Sequence, residues 1–242
     1  MLIPTKSHRA PAPTLRVNAL LLAVLFLAGA ASAAHAQQAD TRCGSVTSTS
    51  FGPFDYRTER DKVLLVEQHH FTPEVENLIR GISGPLGGEL HYVLATTPNH
   101  HRALLALVRL GERQHSQQPY GTKWVIECYF DRALRFRPDD TVARVIYATF
   151  LVKQGRSTDA KQQLQRAAND ASDNGFGQYN IGLVYLEMKD YENALVQAHR
   201  ALALGFTRTD LMDKLKAAGR WRDSEIAPVN GSGAEPEPGQ TK

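Results

Sequence analysis

Nine histidines and two cysteines offer this chain the most versatile chemistry, and six of the histidines crowd together. His69-His70, His91, His100-His101 and His115 fall within 47 residues. Gathered around one ion they would form a metal site, and they are the one feature that invites a catalytic reading. Their spacing argues against the first use. Successive residues on a helix point about 100° apart, so neither adjacent pair can turn both rings toward one ion. No pair has the i, i+4 spacing of a helical metal motif, and no carboxylate accompanies them in a known pattern. His100 and His101 follow Asn99 in the first turn of an expected helix, where a polar surface role suffices. Ser83, in Gly81-Ile82-Ser83-Gly84, lacks the spacing of a nucleophile elbow. Gly84, Gly87 and Gly88 follow no strand and precede no Lys-Ser/Thr pair, so they read as a helix-to-helix turn. The expectation is no catalytic residue, no metal and no cofactor. The competing reading is a metal-binding protein or an enzyme that uses the upstream histidines.

The cysteines depend on where the chain works. Lys6, Arg9 and Arg16, with no acidic residue among them, precede an apolar run from Ala19 to Ala28. Ala34-His35-Ala36 then supplies an A-x-A cleavage signal, and the run is too short to span a bilayer. Residues 1–36 therefore read as a secretory signal, and the protein as periplasmic or secreted. Without that segment the 28 basic residues fall by three, to match the 25 acidic ones. A neutral chain gives no electrostatic case for nucleic acid. No later run is long enough for a membrane span. In an exported chain the pair Cys43 and Cys128 reads as one disulfide rather than a metal site.

A repeat of 34 residues must position all of these groups. Ala133, Ala167 and Ala201 are 34 apart, as are Ala160 and Ala194, and Ala148 and Gly182. Two helices that cross closely need small side chains at the crossing and larger ones between. Gly182 against Ala194 fits that need, with Ile181, Tyr185, Ala198 and Ala201 around them. The preceding unit repeats it with Tyr147, Ala148, Leu151, Ala160, Leu164 and Ala167. Gly155 should close its first helix, and Asp139 or Asp140 should cap the start. Upstream, Pro98 and Pro138 are 40 apart, so six extra residues are expected within Gln114–Pro119. Ile126 stands where a small residue is expected.

On these positions, residues 141–206 resemble two consecutive tetratricopeptide repeats (TPRs), with Gln178 in place of the usual aromatic. Gly52–Arg57, His70–Glu76 and Pro98–Leu104 look like segments of exported bacterial TPR proteins. The resemblance implies an all-α, TPR-type solenoid of helical hairpins, about three and a half repeats in residues 67–222. Phe71–Gly81 would supply a short first helix for the earliest unit and Leu86, Leu90, Val93 and Pro98 its second half, with Arg102–Arg113 and Tyr120–Arg137 following. Asp210–Gly219 would form a capping helix with Leu211, Leu215 and Ala218 on its packed face. Residues 37–66 are expected as an extended N-terminal arm, and residues 223–242 as a disordered tail rich in Pro, Gly and Glu.

The resemblance also implies a function, that of a scaffold or adaptor holding an unidentified protein or peptide in a groove lined by the first helix of each hairpin. The groove positions are Val142, Val145 and Thr149, then Phe176, Tyr179 and Leu183, with Asn180 placed to bond a peptide backbone. The basic clamp that some TPRs use for a terminal carboxylate is missing, since Val145 and Thr149 hold its places. Cys128 falls two residues past the packed position, a turn of about 200° away from the first helix. A Cys43–Cys128 bond should therefore fasten the arm along the outside.

Overall fold

The hairpins begin with side chains that satisfy their first backbone donors. In the computed structural model, which describes residues 42–47 and 51–223, Asp140 accepts a hydrogen bond from Ala143 N at 3.0 Å. Asn174, 34 residues on, does the same for Gly177 N at 3.0 Å. His100, 40 residues before Asp140, accepts from Ala103 N through its ring at 3.2 Å. Each capped start satisfies a donor that the helix itself cannot. The spacing of these caps is the spacing that the prolines and alanines announce.

Ten helices and no strand occur among the described residues. They are α1 (Arg60–His70), α2 (Pro73–Glu76), α3 (Leu86–Thr96), α4 (His101–Gln114), α5 (Ile126–Phe136), α6 (Thr141–Lys153), α7 (Ser157–Asp170), α8 (Gly175–Glu187), α9 (Tyr191–Ala203) and α10 (Asp210–Ala217). All belong to one compact unit that starts at Cys43. From α4 onward each helix packs on its predecessor, and α4, α6, α8 and α10 pack in series on one another. The result is a repeat-like all-α fold with one continuous core. No described helix is long and apolar enough to cross a membrane. The expected signal, residues 1–36, and the expected tail after Asp223 lie outside the described residues.

The turns explain why the hairpins close where they do. After α6, Gly155 adopts φ +73°, its N–H bonds Val152 O, and Arg156 N–H bonds Leu151 O. After α9, Gly205 repeats this with φ +79°, and Phe206 N–H bonds Ala201 O. A residue with a Cβ is strained at such angles, so glycine ends both helices. Between the helices the small residues meet as expected. A Cβ on Gly182 would lie 3.2 Å from Gln197 Cβ and 3.5 Å from Ala194 O. It would also come within 2.4 Å of Leu211 Cδ2, so the same glycine admits the capping helix. Upstream the sizes are exchanged. Ile126 takes a small residue's place, and Gly111 of α4 opposes it: a Cβ on Gly111 would lie 2.3 Å from Ile126 Cδ1.

Four expectations need correction. The arm is not extended to residue 66, because α1 already begins at Arg60. Val63 and Val66 are buried while Leu64 and Leu65 are exposed, so the run Val-Leu-Leu-Val hides its helical period. Phe71–Gly81 is no helix beyond the single turn of α2, since Leu78 turns left-handed at φ 58° and Arg113 holds its carbonyl. α5 starts at Ile126 rather than Tyr120. Pro119 and Gly121 (φ +91°) shape the loop before it, and Thr122 Oγ1 donates to Pro119 O at 2.7 Å. In α10, Leu211 and Leu215 are fully buried, each stabilising by about 1.5–3 kcal/mol, but Ala218 is exposed beyond the helix end.

Candidate functional site

The series α4–α6–α8 turns one side of each helix away from the core. On α6 and α8, Val142 is 40 % and Phe176 51 % exposed, and these two residues are 34 apart. Val145, Thr149 and Leu183 are half-buried beside them, and Leu105 of α4 is exposed. Lys153 Nζ of α6 pairs with Glu112 Oε1 of α4 at 2.7 Å, which ties the C-terminal ends of the two helices. Thr149 Oγ1 donates to Val145 O at 3.0 Å and Asn180 Nδ2 to Phe176 O at 2.9 Å. Both polar side chains thus satisfy their own helices. Asn180 keeps its amide oxygen and one N–H for a partner.

Tyr179 does not share this face. It is 3 % exposed, its ring lies 4.9 Å from that of Phe206, and the Arg208 guanidinium stands 5.3 Å above it. Its hydroxyl bonds Asp210 Oδ2 at 3.1 Å. The segment leading into α10 covers the tyrosine, so the side chain expected to anchor a partner instead seats the cap. Burial and that bond raise its pKa.

The disulfide joins Cys43 to Cys128, closing a separation of 85 residues and bringing the arm onto α5. Both cysteines are buried. Beside them Arg132, buried and stacked 4.4 Å over Trp124, donates from Nη1 to Ser45 O at 2.6 Å. A second fastening therefore lies next to the covalent one.

The histidines are the largest departure from the sequence reading, because four of them find side-chain partners of their own. His100 is not a surface residue: it is fully buried between Tyr56 (4.3 Å) and Phe71 (4.8 Å). Its Nδ1 accepts the Ala103 N–H, so the proton sits on Nε2, which donates to Glu67 Oε1 at 3.0 Å. Burial lowers the pKa of His100, and the Glu67 carboxylate opposes that shift without cancelling it. His101 Nε2 reaches both oxygens of Asp140 at 2.8 and 2.9 Å. His70 Nδ1 lies 2.8 Å from Glu89 Oε2, whose other oxygen accepts Ser83 N–H at 2.6 Å and Ser83 Oγ–H at 3.1 Å. Ser83 and His70 therefore grip opposite ends of one carboxylate. His91 Nδ1 shares a hydrogen with the Tyr129 hydroxyl at 2.9 Å, and burial pushes that phenol up to about 12.

At the centre lies Asn99, fully buried between two acids. Its Nδ2 donates to Asp55 Oδ1 and to Asp140 Oδ2, both at 2.8 Å, and its Oδ1 accepts Tyr56 N–H at 3.0 Å. Arg57 (Nη2, 3.0 Å) and Arg137 (Nε, 2.6 Å) donate to Asp55. Burial opposes ionisation of Asp55, but the bonds from Arg57, Asn99 and Arg137 outweigh it and hold the carboxyl well below its usual range. Burial likewise opposes ionisation of Asp140, and His101, Ala143 N–H and Asn99 overcome it. Glu67, Glu89 and Asp55 were not singled out in the sequence, and Asp140 was expected only as a helix cap. The signal was present in Gly52–Arg57, His70–Glu76 and Pro98–Leu104, whose residues the fold brings to one place. Among the described residues no group of three or more His, Cys, Asp or Glu is placed to hold a metal ion. No protein-family model matches the chain, and no curated protein is significantly similar to it.

Proposed function

We propose that this chain is a TPR-type scaffold, periplasmic or secreted, that holds a protein or peptide partner against α4, α6 and α8. The observation that carries this reading is the exposure of the apolar side chains Leu105, Val142 and Phe176 on α4, α6 and α8, three helices that pack in series. Side chains of this kind serve as anchors in interfaces. The caps at Asp140 and Asn174, the glycine turns and the serial packing support the TPR assignment. A disulfide that closes the arm supports an oxidising compartment.

The test is capture of a partner from an envelope extract by the disulfide-bonded protein. Val142→Glu with Phe176→Glu should weaken capture about tenfold or more, as expected for central anchors. Val196→Glu, an equally exposed site on α9, should leave capture intact. Equal losses from both variants, or no loss from the first, would rule the face out.

A further inference from the structure

Three hairpin starts carry three different chemistries at one position. Asp140 caps with a carboxylate, Asn174 with an amide and His100 with an imidazole, whose Nδ1 takes Ala103 N–H. An amide oxygen accepts at any pH. Burial raises the Asp140 pKa, but its bonds to His101, Ala143 N–H and Asn99 bring it below the usual range, so it still accepts in mild acid. The imidazole does not, because a proton turns Nδ1 into a donor that faces a donor. Its other nitrogen is already engaged, with Nε2–H on Glu67 Oε1. His100 therefore takes up a proton only by losing the cap of α4.

The groups around the ring tie this cap to the arm. Glu67 belongs to α1, where Arg60 lies 3.7 Å from it, and Tyr56 and Phe71 sandwich the imidazole. Arg102, in the first turn of α4, holds Glu76 of α2 at 2.7 Å and reaches Glu67 at 3.5 Å. His101 adjoins on α4, with Asp140 of α6 behind it. Burial disfavours a proton on His100, Glu67 favours one, and Arg102 and His101 disfavour it again, which leaves the neutral ring ahead. The bond from His100 lowers the pKa of Glu67, and the bond from Arg102 lowers that of Glu76, so both stay charged while the ring titrates.

We propose that His100 is an acid-sensitive latch, which holds α1 and α2 against the hairpin α3–α4 in neutral medium and loosens them in mild acid. Protonation costs the first turn of α4 its cap, and Arg102, in that turn, slackens its hold on Glu76 and Glu67. α1 and α2 then open as one flap, with the Cys43–Cys128 bond still tethering the arm on α5. The face so uncovered carries Val63, Val66, Phe71 and Val75, all buried in the closed form. The latch operates whether or not a partner occupies α4, α6 and α8.

Amide hydrogen exchange of the full, disulfide-bonded protein tests this between about pH 7.5 and about pH 5.5, with rates corrected for intrinsic exchange. An opening coupled to one proton grows by up to about tenfold per pH unit below about 6.5. Protection should therefore fall severalfold at Ala103 and at Phe71, whose N–H bonds Glu67 O. Gly177, capped by Asn174, should keep its protection. His100→Asn supplies an acceptor that does not titrate and should abolish the fall. Unchanged protection at Ala103, equal losses at Ala103 and Gly177, or a fall that persists in His100→Asn would each overturn the latch. Nitrogen NMR of the imidazole at neutral pH needs no variant. Nδ1 should be bare and Nε2 protonated, and the opposite tautomer would overturn the proposal as well.

Discussion

Replacing Asn99 with leucine tests whether the arm and the hairpins are held together by one amide. Leucine keeps asparagine's branching in a larger side chain and removes all three of its hydrogen bonds. The two to carboxylates contribute about 1.5–3 kcal/mol each and the one to Tyr56 N–H about 0.5–1.5, or about 3.5–7.5 together. Arg57, Arg137 and His101 still serve the two acids, so the lower part of the range applies, about 4 kcal/mol. In a domain of this size such a loss lowers Tm by about 8–16 °C. Thermal and urea unfolding at neutral pH, followed by circular dichroism with the disulfide intact, would measure it. Asn99→Asp is the companion, since it turns a carboxylate toward Asp55 and Asp140. Its own pKa is raised by those neighbours, so the folded state holds a proton that the unfolded state has released. Its deficit should exceed that of leucine at neutral pH and shrink as pH falls toward about 4. A loss under about 1 kcal/mol for Asn99→Leu would refute the idea that this residue joins the two parts.

Three further outcomes are expected. Cys43→Ser with Cys128→Ser opens a loop with a separation of 85 residues, for which chain entropy gives about 4–5 kcal/mol, read as a lower urea midpoint. His100 has a folded pKa below its unfolded value, so its contribution is complete above about pH 6.5 and is lost as pH falls through the folded pKa. His100→Gln should flatten the stability profile below about pH 6.5, and an unchanged slope would place the titration elsewhere. Tyr179→Ala should cost about 3–4 kcal/mol by emptying a buried site, whereas Phe176→Ala should change stability little. If the two melt alike, the cap does not cover Tyr179.

The hairpins α6–α7 and α8–α9 were readable in the sequence because their small residues, caps and glycine turns recur at a fixed period. Each is a local device whose type states its role, as Gly155 and Asp140 do. α1 was not legible, since four consecutive apolar residues carry no helical period and only two of them are buried. The histidine partners were hidden for a different reason. Asn99 meets Asp55 and Asp140 at separations of 44 and 41 residues, and no local pattern predicts contacts at that range. Tyr179 was misplaced because the repeat pattern describes a middle unit. In the last unit the segment of Phe206 to Asp210 folds over it. Cys43 and Cys128 could be paired from their number and the expected export of the chain, but Arg132 beside them gave no sign that it would clasp the arm.

Repeat proteins ordinarily touch only nearest neighbours, so their stability adds up unit by unit. Asp55 breaks that rule, for its bond to Arg137 and the pairing of Arg57 with Asp139 each reach across 82 residues. The two ends of the molecule should therefore come apart differently. At the far end α10 and then α8–α9 are held by adjacent packing and can peel away in order, leaving a shorter but complete stack. At the near end nothing can be trimmed singly. A fragment that starts after the arm leaves Arg137 and the buried Asn99 without Asp55, and Asp139 without Arg57. A fragment that stops at Lys153 retains every one of those contacts. The smallest piece of this chain able to stand alone is thus set from its beginning, not from its best-formed repeats.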